Sequence, residues 1–258
     1  MNFRRIESRE NPLMKEIGKL QNSAKHRRET GCFVLEGLRA CLDAAENGIS
    51  FRLLVVSDSF LSRSSDSVGR LAALAGDRVA MKEELFEKIS DTKTPQGVLA
   101  IGEIPVQNPD EIDPSGRYIA LENLQDPGNF GTVLRTAEAL GLDGVILSQN
   151  GCDPFSPKVL RASMGTALRV KIFSFFDFAG QLQKTGLRLF ACVVDSAAIP
   201  ISQVHFEDGC CCLIGNEANG LKAETAAVCT PITIPMRGRA ESLNAAVAAS
   251  IAMWEMSK

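Results

Sequence analysis

The run Cys210-Cys211-Cys212-Leu213-Ile214 passes directly into Gly215-Asn216-Glu217-Ala218-Asn219-Gly220, and this stretch decides how the rest of the chain is read. Five consecutive apolar residues predict a buried strand, and two glycines enclosing two asparagines and a carboxylate break it at once. In an open α/β sheet, ligands settle at the carboxyl ends of strands, where glycine lets backbone approach them closely. A plain turn has the same pattern, so the stretch alone leaves both readings open. Two familiar phosphate loops are excluded. After Gly220 a P-loop needs Lys and then Ser or Thr, whereas Leu221 and Lys222 follow. No three-glycine dinucleotide fingerprint lies between a strand and a helix, which makes a Rossmann dehydrogenase the weaker reading.

Working outward, short apolar runs alternate with helical periodicity. Strands are expected at 117–122, 144–147, 169–173, 187–194, 210–214 and 231–234, with helices at 131–140, 158–164, 178–184, 223–229 and 243–256. Such alternation predicts a mostly parallel sheet covered by helices. Upstream, strands are expected at 32–35, 53–56, 79–81 and 98–101, and helices at 36–46, 67–75 and 82–90. A further helix is capped by Asn11 and Pro12, with Leu13, Ile17 and Leu20 on one face and Lys15 and Lys19 on another. Residues 105–116 hold three prolines and three acids and no aromatic residue, the composition of an exposed connection. The chain therefore divides into an α/β domain over 1–104, a linker, and a second α/β domain over 117–258.

The 258 residues are 45% apolar and 23% charged, as in ordinary globular proteins. No apolar run approaches the roughly 20 residues that span a bilayer, and the amino terminus has no apolar signal core, so a cytosolic protein without a membrane partner is expected. The eight cysteines show no paired CxxC spacing, which predicts reduced, mostly buried thiols and no metal. A net charge of −3 hides a division. Residues 1–28 carry eight basic residues against three acids, a local +5 that leaves −8 for the remainder. Lys15, Lys19, Arg27 and Arg28 are the candidate contacts for a polyanion; a solvated helix face carries the same charges.

Two more clusters stand out. After the strand at 117–122 comes a turn-rich segment entering a helix that either Asp126 or Asn129 can cap. On it Phe130, Val133, Leu134, Ala137 and Leu140 form an apolar stripe, and Arg135 lies off that seam. Arg135 suits a phosphate or ribose; a surface pair with Glu138 is the plainer alternative. The segment Ile234-Pro235-Met236-Arg237-Gly238-Arg239-Ala240-Glu241-Ser242-Leu243-Asn244 joins a short strand to the last helix, with Ser242 as the expected cap and Arg237 and Arg239 as local positive charge.

Asn129, Gly131 and Arg135, then Gly215-Asn216-Glu217 with Gly220, then Ile234-Pro235-Met236 with Ser242-Leu243-Asn244 resemble, in order, the three signature motifs of the SpoU/TrmH family of RNA ribose 2′-O-methyltransferases, in the SPOUT superfamily. Phe33-Val34-Leu35-Glu36-Gly37 and Thr94-Pro95-Gln96-Gly97-Val98 are similar to that family's amino-terminal substrate-binding domain. Ala245 and Ala246 depart from the pattern, where larger residues are common. The resemblance implies a trefoil-knotted carboxy-terminal domain, S-adenosyl-L-methionine as cofactor, RNA as substrate, most often ribosomal with transfer RNA as the alternative, and a homodimer with a shared active site. It also implies roles. Gly215, Ile234, Met236 and Leu243 hold the cofactor, and Asn129, Arg135, Glu217, Ser242 and Asn244 surround the reacting ribose. A noncatalytic RNA-binding factor that keeps the pocket is the rival from another class.

Overall fold

Asn11 opens the first long helix by accepting a hydrogen bond from the Leu13 amide (3.0 Å), and Pro12, which has no amide to lose, takes the first turn. The computed structural model describes residues 2–258, and the chain separates into two units: Met1–Pro105 with Phe155–Arg161, and Val106–Pro154 with Ala162–Lys258.

The first unit runs β1 (Arg4–Ile6), α1 (Pro12–Asn22), α2 (Ala24–Thr30), β2 (Cys32–Glu36), α3 (Leu38–Glu46), β3 (Phe51–Ser57), α4 (Asp58–Arg63), α5 (Ser65–Ala73), β4 (Ala75–Met81), α6 (Glu83–Ile89) and β5 (Val98–Glu103). Its sheet, in the order β1-β4-β3-β5-β2, is mixed: β5 runs antiparallel to β3 and β2, and the other neighbours are parallel. Ile17 and Leu20 of α1 pack with Val55, Val79, Met81 and Leu99 in one buried cluster. Each such side chain stabilises the fold by about 1.5–3 kcal/mol relative to exposure.

Arg27 corrects the expectation of a four-residue basic contact. It is 4% exposed and donates to the carbonyls of Leu20 and Gln21 at the carboxyl end of α1, where a cation also meets the negative pole of the helix. Arg4, Arg5 and Lys25 are held by Asp77, Asp58 and Glu29. Lys15, Lys19 and Arg28 remain exposed, without an ion-pair partner among the described residues.

The second unit contains β6 (Arg117–Leu121), α7 (Pro127–Ala139), β7 (Gly144–Ser148), the end of α8 (Pro157–Ala162), β8 (Ile172–Phe175), α9 (Phe178–Lys184), β9 (Arg188–Cys192), β10 (Ile199–Pro200), β11 (Cys210–Ile214), α10 (Ala223–Ala226), β12 (Thr230–Thr233) and α11 (Ala245–Met256). All seven strands are parallel, in the order β10-β12-β9-β11-β6-β7-β8. Strand β11 sits between β6 and β9 and is buried along its whole length, which is why its sequence is an unbroken apolar run rather than an alternating one. All eight cysteines are free. Burial pushes the Cys211 thiol well above its ordinary value; a hydrogen bond with Cys192 and then burial do the same for Cys212.

The strand expected at 169–173 begins later, at Ile172, because a 3-10 turn over Thr166–Leu168 intervenes and Arg169 turns to bind Glu138. Ser242 is not the cap of the last helix. Asn244 is, its Oδ1 accepting from the amides of Ala246 (2.9 Å) and Val247 (3.3 Å), and the helix starts at Ala245. No helix of the described residues is long and apolar enough to cross a membrane.

Candidate active site

Because the second sheet is all-parallel, the carboxyl ends of its strands open onto one edge, and the loops after β6, β9, β11 and β12 converge there. The turn after β11 is shaped by its glycines. A Cβ on Gly215 would lie 2.1 Å from the carbonyl carbon of Gly220, so this position tolerates only hydrogen. Asn216 and Gly220 exchange backbone hydrogen bonds (3.0 and 2.9 Å), and Gly220 closes the loop at φ +66°. The Asn216 side chain accepts from the amides of Ala218 and Asn219 and donates to the Asn123 carbonyl (2.9 Å), tying this turn to the one after β6.

In that neighbouring turn Glu122, 1% exposed, accepts from the Lys222 amide and the Thr225 hydroxyl (2.8 Å each), so a buried side chain ties the start of α10 to the end of β6. Asn123 adopts φ +54° and donates its amide to the Ser148 hydroxyl (2.7 Å). Asp126 caps α7 by accepting from the Asn129 amide (2.7 Å). Gly131, one turn in, lets α7 press on the backbone after α8: an added Cβ would stand 2.6 Å from the Ala162 Cβ and 2.8 Å from the Ser163 nitrogen.

One hydrogen-bonded chain joins all three clusters. The Asn244 side-chain amide donates to Asn129 Oδ1 (3.0 Å), and Asn129 Nδ2 donates to Glu217 Oε1 (3.1 Å). Glu217 also faces the amides of Gln125 and Asp126 (3.4 Å each). Burial raises the Glu217 carboxyl; its own amide, the Asn129 side chain and the amides of Gln125 and Asp126 outweigh it, so the group sits below its ordinary range and stays ionised.

Beside this chain lies a cavity of about 430 Å³. Gly215, Glu217, Ile234, Met236, Ser242, Leu243 and Asn244 line it, together with Cys192, Val193 and Val194, which the sequence alone did not indicate. Arg135 stands apart from the lining. It is exposed, six residues or about 9 Å beyond Asn129 along α7. Glu138, its expected partner, is taken by Arg169 and by the Thr166 hydroxyl (3.0 Å), so Arg135 carries no ion pair among the described residues. Sequence reasoning also missed Glu122 and Asn216 as organisers of the site. An acid directly after an apolar strand was the available signal for the first. Among the described residues no group of three or more His, Cys, Asp or Glu stands where it would hold a metal ion.

The sequence profile of the SpoU rRNA Methylase family matches residues 116–254, which contain every element just described. The chain belongs to this family. The profile of the MRM3-like substrate binding domain matches residues 11–100. Over 257 residues this family member is 27% identical to the 23S rRNA (guanosine(2553)-2'-O)-methyltransferase RlmP of Bacillus subtilis, covering 98% of this chain and 99% of that one. A crystal structure of an AdoMet-bound rRNA methyltransferase from Sinorhizobium meliloti superposes with a TM-score of 0.87 at 31% identity, over 98% of this chain and 97% of the other. The AdoMet complex of AviRb from Streptomyces viridochromogenes gives 0.83 at 25% identity, over 96% and 97%.

Proposed function

We propose that this protein transfers the methyl group of S-adenosylmethionine to a ribose 2′-hydroxyl of ribosomal RNA. The observation that carries the reading is the Asn244–Asn129–Glu217 chain at the edge of the cavity, which gathers polar groups from three loops around one point. The cavity fits the cofactor in size and chemistry: its volume is within the usual range for small-molecule sites, and Gly215 and Gly220 line it together with the apolar Ile234, Met236 and Leu243. When bound there, the sulfonium supplies an activated methyl that leaves as the sulfur becomes a neutral thioether. The 2′-oxygen would form the new bond to carbon as the sulfur–carbon bond breaks, and the hydroxyl proton would pass to solvent water. The chain's part is alignment. Asn129 is fixed at both ends of its amide, so it presents a set orientation toward a ribose, and Glu217 acts through Asn129 by holding it.

Arg135 is assigned to the phosphate beside the target ribose. A guanidinium stays protonated in proteins, so holding a phosphate is an easier task for it than taking a proton. Its distance from the cavity of its own chain fits an active site completed by a second copy. Helix α11 supports a homodimer: Val247 (47% exposed), Ile251 and Trp254 (56%) form an apolar stripe that faces away from the core, which Ala249, Ala252 and Met253 fill. The knot belongs to the same proposal. Lys15, Lys19 and Arg28 are assigned to RNA capture by the first unit.

Incubating the purified protein with methyl-labelled S-adenosylmethionine and 23S rRNA, and mapping 2′-O-methyl positions, tests the reading. Label in ribose of ribosomal RNA is expected. Label in transfer RNA alone would move the substrate, and cofactor binding without transfer to any RNA would leave a noncatalytic factor.

A further inference from the structure

The second unit is a poor host for RNA by charge. It holds 10 lysines and arginines against 16 acids, a net −6, and three of its six arginines are spent internally: Arg117 on Asp208, Arg169 on Glu138 and Arg188 on Glu207. Apart from Arg135, the two that remain are Arg237 and Arg239, both exposed and both without a hydrogen bond or ion pair among the described residues. Glu241, two residues further on, pairs with neither.

Their position is specific. The irregular loop between β12 and α11 leaves the cavity wall at Met236 and returns to it at Ser242 and Leu243, so Arg237 is one Cα step, about 3.8 Å, from a lining residue, and Arg239 is three residues from both ends. Gly238 between them has open space where a side chain would stand, and both arginines are exposed. A loop fixed at both ends on the cavity and carrying two of the unit's three unpaired arginines outward is a place where a polyanion entering the site meets positive charge.

We propose that Arg237 and Arg239 form a phosphate clamp that holds the RNA strand flanking the methylated ribose, separately from capture by the first unit. The proposal rests on the RNA methylation reading above and adds where the substrate backbone runs. Planar guanidiniums bind phosphate oxygens two at a time, and such contacts position a strand without reading its sequence.

The test is Arg237→Ala with Arg239→Ala in the full chain, measured for 23S rRNA binding at several salt concentrations, for S-adenosylmethionine binding, and for methyl transfer. Loss of two phosphate contacts is expected to flatten the log–log salt slope of RNA binding by about 1.4–1.8 and to weaken RNA binding and raise KM for RNA roughly tenfold or more. The kcat and the S-adenosylmethionine Kd stay within a few fold. Arg237→Lys with Arg239→Lys keeps the charge and hence most of the slope, and a thermal melt equal to the parent's shows that the exposed loop has not cost the fold. Weakened S-adenosylmethionine binding with unchanged RNA binding would assign the pair to the cofactor's carboxylate and overturn the clamp. An unchanged slope and KM would overturn it as well. A parent that binds RNA with the expected slope but transfers no methyl keeps the clamp and removes the enzymatic reading; a parent that binds no RNA removes both.

Discussion

The first unit holds 18 lysines and arginines against 15 acids, a net +3, and the second is at −6. Their sheets differ as much as their charges. In the mixed sheet of the first, β5 alone opposes the direction shared by β1, β2, β3 and β4, and the unpaired lysines Lys15 and Lys19 lie on an outer helix face. In the all-parallel sheet of the second, every carboxyl end opens on one edge, and residues far apart in the chain meet there. The cavity of the second unit thus forms where strand ends converge, whereas the hollow of the first, lined by Leu38, Arg39, Leu42, Asp43, Glu46 and Gln96, lies along α3 and the segment before β5.

The sharpest way to break this contrast is Arg135→Ala. It is expected to abolish turnover, a loss of roughly 10²-fold or more for a misplaced ribose, with S-adenosylmethionine affinity unchanged by calorimetry. Normal turnover would remove Arg135 from the site. Next, reversing Lys15, Lys19 and Arg28 to Glu is expected to weaken RNA binding across sequences and to flatten its salt slope by about 0.7–0.9 for each lost contact, while leaving cofactor binding alone. Equal binding by parent and variant over a salt series would reduce the helix to a solvated face. Arg27→Ala sharpens the comparison from the other side. It leaves buried carbonyls without their donor and is expected to cost about 1–3 kcal/mol in denaturant unfolding, with RNA affinity of the folded protein unchanged. Gly131→Ala forces a Cβ against Ala162 in the second unit and is expected to lower stability by a similar 1–3 kcal/mol.

The smallest effect is in pH. Glu217 has a folded pKa below its ordinary 4.5, so its contribution to stability is present above about pH 4.5 and is lost as pH falls through the lower folded value. Its exposure to solvent keeps that contribution small. The acid limb of the stability curve of Glu217→Gln is expected to be slightly shallower than the parent's, and identical limbs would mean that the carboxylate's charge does nothing for the fold.

Much of this was legible in the residues. Strand β11 announced itself because burial on both faces demands an unbroken apolar run, and the helix at Asn11 because a capping side chain, a proline and apolar residues at helical spacing agree there. The short pieces were not. Strand β1 reads Arg-Arg-Ile and β10 is a pair of residues including proline, both at sheet edges where neighbours rather than periodicity make the strand. Helix α4 carries two serines and starts on an aspartate, a composition equally good for a loop. Within the site the residue types were readable, whereas their pairing was not. Ser242 and Asn244 are both good caps, and only the path of the loop from β12 decides for Asn244. Arg27 looks like Arg28 in one dimension; the turn between α1 and α2 sends one inward and the other out.

The Asn244–Asn129–Glu217 chain links side chains 115 and 88 positions apart. Contacts of this range have no local reward, so the cluster holds only when all three segments are in place. A molecule filling the adjacent cavity touches two of these segments, at Glu217 and Asn244, and reaches the third only through their hydrogen bonds to Asn129. It works as a removable crosslink, and at a hundred times its Kd it adds about 2.7 kcal/mol to the stability of the folded chain.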